Sequence, residues 1–419
     1  MLIRFGVSNH LSIRDTQELS LVASSLKDAE DGLIQAPRAT LLPAAVVYGA
    51  NASGKSNILK AMQYFQALVC GSYSSSKPGG GIPRTPFRLC GSHSEVPTSF
   101  DVDFFANSVR YHYGVQATNS QVVSEWLYAF PSGMRRMLFE RQHNKYQFGR
   151  HLKGKNRFIS EITRDNTLFL SAAAQNDHAE LLDVWSAISR WSFHTKTFIS
   201  QHDVHYISWT GGLDTRVIDA LSKLGTGISG ATEKLEPFEL NRYLNSSDYS
   251  FDIKWKHGSE VSFPSEITKI YLVHKGLDGT PFSFEPEVES DGTRRLLVIL
   301  QAAFNALDTG GLLIVDELSS SLHTKAAEAI LALFCDRATN PKGAQIIATT
   351  HDTNLLRSEW LRRDQVWFTE KDEGGATHLY PLSDFRTRPG DNFEKGYLQG
   401  RYGAIPFAGD VRSLLQRNG

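Results

Sequence analysis

Residues Pro43 to Val69 read PAAVVYGANASGKSNILKAMQYFQALV. Ala44 to Tyr48 carry no charge and few polar atoms, the signature of a short strand buried on both faces. Past the glycine-rich turn, Ile58, Leu59, Met62, Phe65 and Leu68 recur at helical spacing. The turn itself, Gly49 to Ser56, satisfies G-x-x-x-x-G-K-[ST] with a strand before it and a helix after it, the context that gives the pattern its meaning. Its glycines let the backbone curl so that consecutive N–H groups face a phosphate, Lys55 bridges β and γ oxygens, and the Ser56 hydroxyl ligates Mg²⁺. ATP and Mg²⁺ are therefore the expected ligands, held by Gly49, Asn51, Ser53, Gly54, Lys55, Ser56 and Asn57. A chance glycine turn is the plain alternative, and the flanking strand and helix argue against it.

Two further strand ends bear on the same chemistry. Leu312 to Val315 run straight into Asp316 and Glu317. This spacing is the Walker B arrangement: the strand end fixes Asp316 beside the metal, and Glu317 orients or deprotonates an attacking water. AQIIATTHDTNLL repeats the plan of apolar strand, polar tip and helix, and its tip carries His351, an imidazole suited to donate to the γ-phosphate and register its loss. Lys55, Glu317 and His351 are the expected catalytic groups, with Ser56 and Asp316 on the metal. Three strand-then-loop units between Ala44 and Leu356 predict an α/β fold whose mainly parallel sheet gathers its reactive loops at the strand C-termini.

Elsewhere EVESDGTRRLLVILQAAFN, Glu287 to Asn305, opens an apolar helix at Ser290-Asp291-Gly292-Thr293. Capping alone explains such residues, since their oxygens accept first-turn N–H groups. The order of motifs, however, resembles the ABC-type ATPases: P-loop, long insertion, S-D-G-T at a helix start, LLIVDE with SLH, then a histidine after a strand. In that family the signature loop, usually LSGGQ, binds the γ-phosphate of the ATP held by a second subunit. Ser290 matches its serine and Gly292 its second glycine, while Asp291 and Thr293 depart from the transporter consensus. A helix N-terminus presents N–H donors and partial positive charge to an anion, so the resemblance gives it a use. Arg294 and Arg295 then either pair with phosphate or acids across an interface or face solvent. Ser319 to His323 corresponds to the D-loop. SLH there, and the N-terminal LIRFGVSNHLSI, are more similar to the SMC, RecF and OLD branch than to transporters. For the Q-loop glutamine both Gln175 and Gln201 stand as candidates.

The tail, LRRDQVWFTEKDEGG followed by SDFRTRPGDNFEKGYLQGRYGAIP, resembles small bacterial ATPases of anti-phage defence and abortive infection, of the AbiL and RloA type and more distantly the PARIS ATPase. That resemblance implies head-to-tail homodimers or larger homo-oligomers closed around ATP, and an effector partner such as a nuclease. Two rival functions remain in view: a scaffold locked by ATP with negligible turnover, and a DNA-repair clamp of the RecF kind. The segment YLQGRYGAIP turns sharply, and either packs on the core or docks a partner.

At 419 residues the chain exceeds one ordinary core. The expected division is residues 1–130, the first part of the ATPase core with a β meander from SFDVDFF to WLYAF; residues 131–260, an inserted helical lobe; and residues 261–419, the second part of the core. Gly71 to Pro86 (GSYSSSKPGGGIPRTP) reads as a surface loop. Glu180 to Trp191 and Thr215 to Leu224 read as helices. With 44 basic and 45 acidic residues there is no overall field to draw in nucleic acid, so any such contact needs a local patch such as Lys153 to Arg157 or Arg357 to Arg363. Cys70, Cys90 and Cys335 fit no disulfide or metal spacing. No stretch nears the roughly 18 uncharged apolar residues of a membrane span, so a soluble, cytoplasmic protein is expected.

Overall fold

The computed structural model describes residues 1–195, 212–237, 266–388 and 390–405. Gln201, Pro406 and residues 196–211 and 238–260 of the expected 131–260 lobe lie outside the described residues.

The continuous apolar runs become a six-stranded sheet. Its members are β5 (Ala44–Gly49), β11 (Ser192–His194), β15 (Leu312–Val315), β16 (Gln345–Thr349), β17 (Val366–Lys371) and β18 (Thr377–Pro381), in the order β11-β15-β16-β5-β17-β18. All neighbours are parallel except the β17–β18 hairpin at the edge. Strands in such a sheet are buried on both faces, and β5 divides its residues accordingly. Ala45 and Val47 enter one core, Ala44, Val46 and Tyr48 the other.

The first core lies between this sheet and a seven-stranded antiparallel sheet, order β10-β9-β8-β7-β6-β1-β2. Its strands are β1 (Leu2–Ser8), β2 (Gln17–Ser20), β6 (Thr98–Ala106), β7 (Val109–Ala117), β8 (Val122–Phe130), β9 (Arg136–Gln142) and β10 (Lys145–Phe148). Helix α1 (Lys55–Ser75) fills the space between, with Ile58, Leu59, Met62, Phe65 and Leu68 all buried as their spacing predicts. Phe65 meets Phe100 and Tyr113 at centroid separations of 5.8 and 6.0 Å. Helices α2 (Asn156–Ile162), α3 (Phe169–Gln175) and α4 (Ala179–Ser189) complete that side. A small pair, β3 (Ile34–Ala36) and β4 (Ala39–Leu41), packs on Ile3 and Phe105 of the seven-stranded sheet.

The second core is covered by α5 (Thr215–Lys223), α6 (Asp291–Thr309), α7 (Thr324–Cys335) and the short α8 (Phe393–Leu398), with a three-stranded sheet of β12 (Ile228–Pro237), β13 (Glu266–Lys275) and β14 (Pro281–Phe284) leading into α6. Helix α6 is apolar along most of its circumference because the sheet, α5 and α7 enclose it. Among the described residues no helix is long and apolar enough to cross a membrane. Cys70 and Cys335 are free thiols.

The α/β class with a parallel sheet and an antiparallel subdomain is as expected, and three details differ. Gly71 to Ser75 are helical rather than loop, because the end of α1 is tied down from outside: the Tyr73 N–H donates to Ser171 Oγ at 3.1 Å, the Leu168 N–H to Ser72 Oγ at 3.1 Å, and Arg164 reaches the Tyr73 carbonyl at 2.9 Å. Beyond it Ile82 and Phe87 are buried. The meander does not end at Phe130, since Arg136–Gln142 pairs with β8 and carries β10 on its far side, so a boundary at 131 cuts through a sheet. After His351 the chain makes only a 3-10 turn, Thr353–Arg357, not a full helix.

Candidate functional site

The C-terminal ends of β5, β15 and β16 lie side by side and deliver Gly49, Asp316 and His351 to one edge of the sheet. The loop after β5 needs its glycines for space as well as for conformation. A Cβ on Gly49 (φ 154°) would fall 2.5 Å from the Thr369 carbonyl, and one on Gly54 (φ 110°) 2.1 Å from Thr377 Oγ1. Gly54 caps α1 without a side-chain bond, so no cap side chain takes up the first-turn amides. Ala52 holds φ 63°, a left-handed conformation that costs a non-glycine residue roughly 1–2 kcal/mol and is common where backbone serves a ligand.

Lys55 is buried, its Nζ donating to the carbonyls of Gly49 at 2.8 Å and Ala50 at 3.0 Å. Burial pushes its pKa down to about 8, against the opposing charges of Asp316 and Glu317. The Ser56 hydroxyl donates to Asp316 Oδ1 at 3.0 Å. That carboxylate also accepts from Thr349 Oγ1 at 2.5 Å, and the same threonine oxygen accepts the Glu317 N–H at 2.7 Å. Glu317 is half-buried at φ 51°, strained backbone at the residue expected to handle water. His351 faces solvent; desolvation by the surrounding chain and then the charge of Lys55 lower its pKa, opposed by Glu317 and Asp316. Lys55, Ser56, Asp316, Glu317 and His351 thus form one electrostatic group.

The remaining expected residues have other partners. Asn51 is exposed at the loop tip. Ser53 turns its hydroxyl inward to Thr369 Oγ1 at 2.7 Å, and Asn57 donates to Ser12 Oγ at 2.7 Å, so both side chains brace the loop. Ser290 caps α6, accepting the Thr293 N–H at 3.1 Å, and Asp291 pairs with Arg294. Gly292 lies against the segment after Walker B, where a Cβ would stand 2.5 Å from the Ser321 carbonyl. Arg295 neither faces solvent nor points outward: it is 2 % exposed and donates to the carbonyls of Asp316 and Glu317, at 2.7 Å each. His323, at the D-loop position, caps α7 by accepting the Lys325 N–H at 3.1 Å. Gln175 ends α3, which packs near Tyr73, about 27 Å along α1 from Lys55 at 1.5 Å per residue. It belongs to the far end of the helix.

Sequence reasoning missed Thr349, Thr369 and Thr377, three buried hydroxyls behind the phosphate loop. Thr377 Oγ1 donates to the Ser53 carbonyl at 2.9 Å and lies 2.7 Å from Ser12 Oγ. A polar residue at the inner end of an otherwise apolar strand was the available signal at Thr349. Of the basic clusters, Arg357 to Arg363 is consumed internally. Arg357 pairs with Glu394, Arg362 with Asp364 at 3.0 Å and Arg363 with Asp28 at 2.7 Å. Lys153, Lys155 and Arg157 are exposed. The tail packs on the core as far as Ala404: Tyr397 and Tyr402 stack on Phe368 at 5.4 and 5.8 Å, and Glu394 meets Thr353, two residues past His351.

A strand, glycine loop and helix beside an Asp-Glu strand end define a P-loop ATPase domain of mixed α/β class. The family model described as "AAA domain, putative AbiEii toxin, Type IV TA system" matches residues 44–357, well over half of the chain, and the protein belongs to that family. Among solved structures, the chain is similar to the SMC head domain from Thermotoga maritima, at 13% identity and a TM-score of 0.40 over 91% of this chain and 98% of that one. A dimeric, post-hydrolysis ATP-binding cassette, MJ0796 bound to ADP and Pi, aligns at 10% identity and a TM-score of 0.31 over 90% and 98%. No curated protein matches the chain.

Proposed function

We propose that the protein is an ATP-hydrolysing switch. ATP sits on the loop Gly49 to Ser56, Lys55 takes its β and γ oxygens, and the amides at the start of α1 face its phosphates. The single observation that carries the reading is the Ser56 hydroxyl 3.0 Å from the Asp316 carboxylate. These are two hard oxygen donors at adjoining loops, and no larger acidic or histidine cluster surrounds them among the described residues. Such a pair suits Mg²⁺, which binds through few protein oxygens and completes its shell with phosphate and water. When bound, that ion supplies charge neutralisation at the phosphates. Glu317 orients the attacking water and accepts its proton, and neutral His351 donates a hydrogen bond to the terminal phosphate.

Ser290 and Gly292 supply the second half of the site from another copy, head to tail. An exposed helix N-terminus contributes only about 0.3–1 kcal/mol to anion binding, enough to report a γ-phosphate and too little to hold ATP alone. The partner by this reading is a second copy of the chain, and the output is control of an effector such as a nuclease in a cytoplasmic anti-phage or toxin system. The family's description as a putative toxin of a type IV system supports that setting. Because its second arginine cluster is engaged internally, a DNA clamp is the weaker reading. Phosphate release by the parent and by Glu317→Gln tests the proposal: the variant binds ATP and loses turnover, and a variant within a few-fold of the parent refutes the role of Glu317.

A further inference from the structure

Helix α6 touches the Walker B segment at two points one turn apart. Gly292 lies against the Ser321 carbonyl, so closely that no side chain fits. Arg295 reaches the consecutive carbonyls of Asp316 and Glu317 with one guanidinium nitrogen, at 2.7 Å each. The backbone it grips is the strained part of the site: Glu317 at φ 51° and Ser321 at φ 60° are both left-handed non-glycine residues, which persist only where surroundings over-determine them. Thr349 holds the Glu317 N–H, and the Leu318 N–H donates to the Thr349 carbonyl at 2.8 Å. Other bonds reach this turn from β11, where the Asp316 N–H donates to the His194 carbonyl at 3.0 Å, from Ser56 on α1, from Thr350 Oγ1, 2.7 Å from Ser319 Oγ, and from within the turn, where the Ser320 N–H donates to the Glu317 carbonyl at 2.8 Å. The guanidinium arrives from α6, whose first turn carries Ser290 and Gly292.

We infer that Arg295 is a positioning residue that ties the Ser290–Gly292 turn to the backbone of Glu317 in the same chain. A charged side chain 2 % exposed and donating to two main-chain oxygens transmits displacement of the helix start directly to those peptides. The inference rests on the hydrolytic, head-to-tail reading. There the turn of one chain engages the ATP held by its twin, whereas Glu317 acts on the ATP held by its own chain. Arg295 therefore makes hydrolysis at one site depend on occupancy of the other, by a contact of two consecutive carbonyls rather than by a distant rearrangement. Nothing in this contact reaches nucleotide, so the residue acts on turnover and not on binding.

The test compares the parent with Arg295→Met, which keeps volume and removes the donors, and Arg295→Lys, which keeps charge with a shorter reach. Steady-state ATPase and amide hydrogen exchange are measured on the full chain. The expected result for Arg295→Met is a kcat lower by about thirtyfold with KM for ATP within about threefold, and loss of any cooperativity in ATP. Amides over 317–321 should exchange at least about tenfold faster while those of β5 and α1 are unchanged. Arg295→Lys should fall between. A kcat within threefold of the parent, KM rising in step with the loss, or unchanged exchange over 317–321 would overturn the inference. A parent chain that binds ATP and releases no phosphate would instead overturn the hydrolytic reading, and exchange over 317–321 in Arg295→Met would still decide whether Arg295 holds that backbone.

Discussion

Thr349→Val isolates the hydrogen bonds that shape the Walker B end with almost no change in volume. Thr349 is fully buried, its hydroxyl donating to Asp316 at 2.5 Å and accepting the Glu317 N–H at 2.7 Å. Valine keeps the branched shape and removes both bonds. A buried N–H left without a partner costs about 1–3 kcal/mol, and a lost bond to a carboxylate about 1.5–3 kcal/mol. Some of this is recovered as the Glu317 backbone relaxes from φ 51°, a conformation worth roughly 1–2 kcal/mol of strain. The net expectation is a loss of about 2–4 kcal/mol, read as a lower urea midpoint at unchanged slope in tryptophan fluorescence. The same change lets Glu317 move, so kcat should fall by more than about tenfold in parallel. A loss below about 1 kcal/mol with full turnover would show that Thr349 merely fills space, and would refute the view that Glu317 is held under strain by named bonds.

Three further expectations follow from other contacts. Lys55, with a pKa lowered to about 8 by burial, must be protonated to hold phosphate. ATP affinity should be flat below that pH and weaken by up to about tenfold per unit above it, as the bound state then takes up a proton; titration calorimetry showing constant affinity to pH 10 would contradict this. Gly292→Ala in an ordinary helix would stabilise by about 0.5–1 kcal/mol, but here the added methyl meets the Ser321 carbonyl at 2.5 Å, so thermal unfolding should show destabilisation, and a raised melting temperature would count against that contact. Thr377→Val removes the bond to the Ser53 carbonyl beneath the phosphate loop; fluorescent-nucleotide titration should give a Kd raised by about tenfold, and an unchanged Kd would remove Thr377 from the loop's support.

The parts of this fold that were legible in the sequence are those set by local pattern. The buried strands at Ala44, Leu312 and Gln345 announce themselves as uncharged runs, and the helix after Lys55 by its spacing. Ser290 reads correctly as a cap because its partner is three residues away. What stayed hidden depends on distant partners. Thr377 supports a loop 324 residues earlier, and nothing in its neighbourhood says so. Arg295 looks like a solvent-facing arginine on a first helical turn until α6 is laid against β15, and its acceptors are main-chain oxygens that no composition reveals. The serine-rich end of α1 has weak intrinsic helicity, and the bonds from Ser171 and Arg164 override it. Arg362 and Arg363 look like a basic patch, yet Asp28, brought from the other end of the chain, neutralises one of them.

The central claim, a hydrolytic site completed by a second copy, is tested most directly by the solution mass of Glu317→Gln with and without ATP·Mg²⁺. For a chain of 46.7 kDa, light scattering after size exclusion should show the doubled mass or a multiple of it with ATP·Mg²⁺, and reversion to the single-chain mass when Ser290→Arg is added to the same variant. A Glu317→Gln protein that binds ATP and remains at the single-chain mass, or a dimer indifferent to Ser290→Arg, would contradict the account.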